Sequence, residues 1–402
     1  MINPLMGTFR FALCLGLFLL ASLRSPCADT TYVRFNTNLG NIDVLLYSDE
    51  APNAVSNFTT LMAASGMTGY SNTIIHRAVI NPATSTTPAT PFVIQGGIFY
   101  DTYLTSGTGS TATYYLPTIA PARDYTTDPL SSDNVPTNTA YINAGISNTR
   151  GTIAMALSSG PNSGTTSWFF NEGDNSFLDS GDGGPFTVFG KIINTSSLSV
   201  MDQIGNLPEY TLDNASNGLG DVSNGLGGLD TTPLITNQGF QFNKLLYAAL
   251  SDYVTVNSIT ILTGVQDFPT WQTASFTPTQ QSNPNFIAPA SIPFKDGIPN
   301  LLKYVCDINP STPMNAAARA NLPTVGTTTI SGSKYMTLTY HQHNALVGVT
   351  VNVQTSPDLQ TWTTLTNPVF VQTGTDSNGD PIMQVQVASS GTAQFIRLNV
   401  SQ

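Results

Sequence analysis

The chain has 402 residues and a formal net charge of −11, and only 9% of its residues are charged, against an average near ~25%. That balance argues against nucleic acid and anionic membrane surfaces as partners, and the length accommodates two domains. Residues 1–28 read as a secretory signal: Arg10 supplies the positive start, and the apolar run Phe11 to Ala21 is shorter than the ~20 residues of a membrane span. Ala28 is a candidate last residue of the signal, and Cys27 offers a lipidation site as the alternative. With Cys14 and Cys27 in that segment, Cys306 stands alone among Leu301, Leu302, Tyr304 and Val305. It reads as a small core residue with no disulfide partner. The expectation is a monomeric protein exported to the periplasm or the cell exterior.

From Val33 the pattern becomes structural. Val33 and Phe35, then Ile42, Val44 and Leu46, alternate about the turn Asn38-Leu39-Gly40-Asn41 and predict a hairpin. Pro52 opens a helix in which Val55, Phe58, Leu61 and Met62 recur at helical spacing, with Gly66 as its stop. Strands are predicted over Ile74 to Val79, Phe92 to Gln95, Gly151 to Ala156 and Phe186 to Ile193, and a second short helix over Leu198, Met201 and Ile204. Residues 81–91 and 100–145 have the composition of inserted loops, and the Asn-Gly-Leu-Gly repeat within 217–228 that of a surface loop.

Residues 259–294, rich in Pro, Thr, Gln and Asn, are expected to be a linker between a first domain over 29–258 and a second over 295–402. The second opens with Asp296-Gly297-Ile298-Pro299-Asn300-Leu301-Leu302-Lys303-Tyr304, a capped amphipathic helix with Leu301, Leu302 and Val305 on its apolar side. Alternation at Met336, Leu338 and Tyr340, at Val347 to Val353, and at Met383, Val385 and Val387 then predicts an antiparallel β-sandwich-like module. His341 and His343 share a strand face without a visible third ligand, so no metal is expected there.

The chemically informative residues are His76-Arg77, Phe92-Val93-Ile94-Gln95-Gly96-Gly97, Gly151-Thr152-Ile153-Ala154-Met155-Ala156, Trp168-Phe169-Phe170 and Val188-Phe189-Gly190. They place one arginine and one glutamine among aromatic and small residues, with no nucleophile, metal cluster or phosphate loop beside them. In order and spacing they resemble the cyclophilin family of peptidyl-prolyl isomerases over roughly residues 30–255. The resemblance implies a mainly β fold, a closed eight-stranded barrel capped by two helices, and a reaction without a cofactor. By the same resemblance Arg77 is the catalytic donor and Gln95 the donor to the substrate carbonyl. His76, Phe92, Val93, Ala156, Leu157, Trp168, Phe170, Phe177, Leu178 and Phe186 would form the binding surface for proline-containing segments of exported proteins. Leu157, Trp168 and Phe186 depart from the commonest residues of the family. Phe177 takes the position of a tryptophan associated with strong cyclosporin binding. Two other readings compete: a non-catalytic module that holds proline-containing segments, and a carbohydrate-active protein using Tyr340 and Trp362.

Overall fold

The computed structural model describes residues 31–65, 69–81, 83, 89–100, 104–106, 113–115, 146–157, 163–180, 185–210, 231–235, 252–330, 332–366, 368–388 and 395–402. The segment read as a signal, most of the two expected inserts and the 217–228 repeat lie outside these residues.

The hairpin forms as β1 (Thr31–Thr37) and β2 (Gly40–Leu46), with Gly40 at φ +134° taking the turn. Helix α1 (Pro52–Ala63) follows, then β3 (Thr73–Asn81) and β4 (Thr90–Tyr100). A short pair, β5 (Leu104–Ser106) and β6 (Thr113–Tyr115), falls inside the second insert. Next come β7 (Thr152–Met155), β8 (Trp168–Asn171), β9 (Val188–Ile192) and helix α2 (Thr195–Gly205). The pair β10 (Glu209–Tyr210) and β11 (Thr232–Pro233) precedes β12 (Thr255–Ile261).

Eight of these strands close a barrel in the order β1-β12-β3-β4-β8-β7-β9-β2. Its interior holds an aromatic cluster: Phe35 lies 5.1 Å from Trp168 and 5.3 Å from Phe170, and Phe58 of α1 lies 5.2 Å from both Tyr70 and Phe189. Val55, Phe58 and Leu61 from α1 and Val200, Met201 and Ile204 from α2 join the same core. Each such fully buried side chain contributes about 1.5–3 kcal/mol.

The stretch expected to be a linker is ordered structure, and the barrel runs past the expected boundary at 258. Ile261, Thr260 and Ile259 pair with Val33, Arg34 and Phe35, so three of the five β1–β12 pairings that close the barrel lie beyond residue 258. After β13 (Gln266–Asp267) come three short helices, α3 (Phe268–Ser275), α4 (Pro278–Gln281) and α5 (Pro284–Ile287). Each has a side-chain cap, at Asp267, Thr277 and Asn283, and a proline in its first turn. The polar, proline-rich composition is therefore helix-start chemistry rather than a spacer. Phe268 and Trp271 pack on Tyr304, at 5.6 and 5.5 Å.

Helix α6 (Asn300–Val305) carries the motif that opens the second module. Lys303 is fully buried and pairs with Asp296 at 2.7 Å. The Asn300 amide donates to the Ala288 carbonyl at 3.2 Å. The Tyr304 hydroxyl donates to the Gln266 carbonyl at 2.6 Å and accepts from the Val347 amide at 3.1 Å. The motif thus clasps the capped helices onto the module. Helix α7 (Ala316–Ala320) leads into β14 (Thr324–Ile330), β15 (Ser333–His341), β16 (Leu346–Val347), β17 (Thr350–Ser356), β18 (Thr363–Thr364), β19 (Phe370–Thr375), β20 (Pro381–Ala388) and β21 (Phe395–Ser401). β16 pairs in parallel with β13, and the other strands form a sheet β14-β15-β20-β19 and a sheet β18-β17-β21, with Leu338, Tyr340, Val351, Val353 and Val385 in the shared core. Cys306 is buried there with a thiol pushed up by burial, as expected of a packing residue.

Tyr340 is only 1% exposed and offers no free stacking face for a sugar, and the Arg397 guanidinium covers one face of the Trp362 ring at 3.9 Å. His341 bonds Asp376 at 3.0 Å, and the His343 ring lies 5.6 Å from that of Tyr304.

The module docks on the barrel through polar groups that strand alternation turns outward. Arg34 and Asp43 sit opposite each other on β1 and β2 and pair at 2.7 Å. Arg34 also donates to the side chain and carbonyl of Asn344. The serines of α2 complete the contact. Ser196 accepts from Gln342 at 2.9 Å, Ser199 from the Phe370 amide at 2.8 Å, and Thr195 from the Val351 amide at 3.3 Å.

Candidate active site

A row of residues runs across four strands on the outer face of the barrel. Arg77 of β3 lies opposite Gln95 of β4, Gln95 opposite Phe169 of β8, and Phe169 opposite Ala154 of β7. The next row, Ile94, Phe170 and Ile153, points into the barrel. Arg77 reaches the outer row because the register of β3 shifts between Ile75 and Arg77, which makes His76 an extra residue. Without that bulge, alternation would turn Arg77 the same way as the buried Ile75.

The outer row borders a pocket of about 280 Å³ lined by Arg77, Phe92, Val93, Gln95, Ala156, Leu157, Phe169, Leu178 and Phe186. Val93, Ala154, Phe169 and Val188 form a small apolar cluster beneath it. Arg77 Nη1 donates to Gln95 Oε1 at 3.2 Å, so a half-buried cation stands at the edge of an apolar cup. Among the described residues no group of three His, Cys, Asp or Glu side chains is placed to hold a metal ion.

Eight of the twelve expected site residues meet at this pocket: Arg77, Gln95, Phe92, Val93, Ala156, Leu157, Leu178 and Phe186. Four do not line it. Trp168 and Phe170 are fully buried in the barrel interior, on the face opposite Phe169. Alternation in β8 lets only one residue of Trp168-Phe169-Phe170 face outward, and pairing with Gln95 selects Phe169. Gly96 makes room for the indole: a Cβ there would meet Trp168 at 2.8 Å. Phe177 lies outside the lining, 58% exposed, with its ring stacked 5.8 Å from Phe92. His76 is 1% exposed and packs 4.9 Å from Phe99. Burial first, and the neighbouring Arg77 charge second, push its pKa down to about 3, so it remains a neutral structural side chain.

Two further features were missing from the expected set. Phe169 is one. The other is a buried asparagine network that holds the pocket's wall in place. Asn171 donates to Asn148 at 3.1 Å and to Thr152 at 2.9 Å, and Asn175 donates to Asn171 at 2.9 Å and to the Phe92 carbonyl at 2.8 Å. Asn148 donates to the Phe186 carbonyl at 3.0 Å. All three asparagines are fully buried, so each satisfied bond removes a desolvation penalty of about 1–3 kcal/mol. Both depend on pairing between distant segments: the register of β8 against Gln95 selects Phe169, and the network joins residues far apart in sequence.

The barrel thus bears an arginine–glutamine pair beside an apolar cup on its outer face. The model of the family "Cyclophilin type peptidyl-prolyl cis-trans isomerase/CLD" matches residues 32–218. A peptidyl-prolyl cis-trans isomerase of Acinetobacter baylyi is 33% identical over 204 residues, 50% of this chain and 85% of that protein. Peptidyl-prolyl cis-trans isomerase B of Escherichia coli (strain K12) is 34% identical over 176 residues, 43% of this chain and 82% of that protein. A crystal structure of a cyclophilin type isomerase from Cryptosporidium parvum aligns with a TM-score of 0.32 at 20% identity, covering 58% of this chain and 99% of that one. The chain belongs to the cyclophilin-type peptidyl-prolyl cis-trans isomerase family, and its barrel is that family's enzyme domain.

Proposed function

We propose that the barrel isomerises peptidyl-prolyl bonds of exported proteins, with Arg77 as the catalytic donor and the pocket as the seat of the proline ring. The bond before proline rotates over a barrier of about 18–20 kcal/mol because rotation breaks amide resonance. As resonance is lost, the prolyl nitrogen becomes pyramidal and gains a lone pair. A donor fixed beside that nitrogen binds the twisted state more tightly than either planar state, which is what accelerates the step. Arginine suits this role because it is permanently charged and presents a rigid fork of donors. The apolar walls of Phe92, Val93, Phe169, Leu178 and Phe186 exclude water and strengthen the field of the guanidinium. Ala156 and Leu157 supply main chain at the pocket's edge for an extended peptide. What supports export to the periplasm or cell exterior is the reading of residues 1–28 as a signal, together with the low charge content.

The observation that carries this proposal is the half-buried Arg77, held by Gln95 at the rim of an apolar cup. Arg77→Ala tests it. Losing one preorganised donor costs about 2.7–4 kcal/mol, a hundred- to thousandfold in rate, while peptide affinity changes little because the cup survives. Turnover by magnetisation exchange and affinity by peptide titration separate the two effects. A variant within a few-fold of the parent rate removes Arg77 from the mechanism. A parent without activity, binding peptide normally, leaves a non-catalytic module for proline-containing segments.

A further inference from the structure

We infer that Ser167 is a positioning residue for the isomerisation, one that fixes which end of the Gln95 amide faces Arg77; this rests on the role proposed for Arg77. Ser167 is 6% exposed and lies directly before β8. Its Oγ donates to the Gly96 carbonyl at 3.0 Å and accepts from Gln95 Nε2 at 2.9 Å. Gln95 Oε1 in turn accepts from Arg77 Nη1 at 3.2 Å.

The chain of bonds has a single permitted direction. A backbone carbonyl only accepts, so the one hydroxyl proton of Ser167 is committed to Gly96. The serine oxygen is then left as an acceptor and takes the amide NH2 of Gln95. The amide oxygen must therefore face Arg77, which has only donors to offer. Both ends agree, and the amide has no second low-energy orientation. A flipped amide would aim N–H at the guanidinium and carbonyl oxygen at an oxygen with no proton left to give. Ser167 thus aligns the guanidinium without touching the substrate, and it does so through a main-chain carbonyl that side-chain motion cannot alter. Gly96 also has to remain a glycine for this geometry, since a Cβ there would collide with Trp168.

The test is a double-mutant cycle on the full chain with Ser167→Ala, Gln95→Ala and the pair. Ser167→Ala is expected to lower kcat about five- to tenfold, the fold-change that one net hydrogen bond is worth, with KM within about twofold. In the Gln95→Ala background the same change should have under about twofold effect, because there is no amide left to orient. Ser167→Thr keeps the hydroxyl and should restore most of the rate. Equal losses in both backgrounds would assign Ser167 to packing and overturn the inference, as would an unchanged kcat in Ser167→Ala. The Gln95 side-chain amide signals in a 15N–1H spectrum give a second readout that does not need turnover. They should shift and broaden in Ser167→Ala, and unchanged signals would overturn the positioning role even if the parent proved inactive.

Discussion

Glu172 follows β8 directly and is 5% exposed, with its carboxylate against Gly205 at the end of α2. Burial above all, then the Asp202 charge, pushes its pKa up from 4.5 to about 8; Arg150 opposes this, but its guanidinium is engaged by Asp202 at 2.7 Å. The sign of the linkage follows. In the unfolded chain the group ionises near pH 4.5, whereas in the folded chain it holds its proton until about pH 8. Between those values the folded state binds a proton that the unfolded state does not, so stability falls as pH rises. The full displacement corresponds to roughly 4–5 kcal/mol at about 1.4 kcal/mol per pH unit, and relaxation around the charge reduces it to the order of 2–4 kcal/mol. Glu172→Gln removes the titration while keeping shape and neutrality. Its stability advantage should be near zero at pH 4.5 and grow to about 2–4 kcal/mol by pH 8.5, or on the order of 1 M in urea midpoint. Urea unfolding at pH 5, 6.5 and 8.5 with pulsed hydrogen exchange reads barrel peptides apart from those of the C-terminal sheets. A difference between variant and parent that is flat across this range would refute the reasoning.

Three further outcomes are expected. Phe170→Ala opens a cavity in the barrel interior and should cost about 3–5 kcal/mol of stability, with peptide affinity unchanged, whereas Phe169→Leu should weaken peptide binding at small cost in stability; titration and calorimetry on both variants check the assignment of faces. A chain ended after Ser258 loses the pairing of Ile259 and Ile261 with β1 and should fail to form the closed barrel, seen as lost near-UV dichroism. Under limited proteolysis residues 265–293 should resist cleavage, because their capped helices are clasped by Asn300 and Tyr304; rapid cutting there would show that the clasp does not hold.

Local pattern carried much of this structure and long-range pairing carried the rest. The hairpin of Val33 to Leu46 and the helix from Pro52 were legible because alternation and helical spacing are properties of neighbouring residues. Arg77 and Gln95 were legible as a motif, although the bulge at His76 that turns Arg77 outward was not. Trp168-Phe169-Phe170 misled because three aromatic residues in a row look alike on either face of a strand. Only the partner strand, through Gln95, sets which one faces the pocket. The capped helices after Asp267 misled for the opposite reason. Thr277-Pro278 and Asn283-Pro284 are helix starts, but helices of four residues show no apolar period. The apolar spacing of Leu198, Met201 and Ile204 marked α2 as a helix, but the hydrogen bonds that Ser196 and Ser199 make to the second module depend on residues 146 and 171 positions away.

Closing the barrel with β12 also sets a schedule for the newborn chain. β1 and β3 both take β12 as a partner, yet Val33 and Ile261 stand at opposite ends of the barrel's sequence. At about 5–20 residues per second of synthesis, β1 emerges roughly ten to forty seconds before the strand that completes it. During that interval the free side of β1 offers unpaired amides and carbonyls to any passing strand. Prolyl bonds in the intervening inserts change isomer over 10–100 s, the same span. A barrel of this family must therefore wait, with one edge open, through a delay on the timescale of prolyl isomerisation itself.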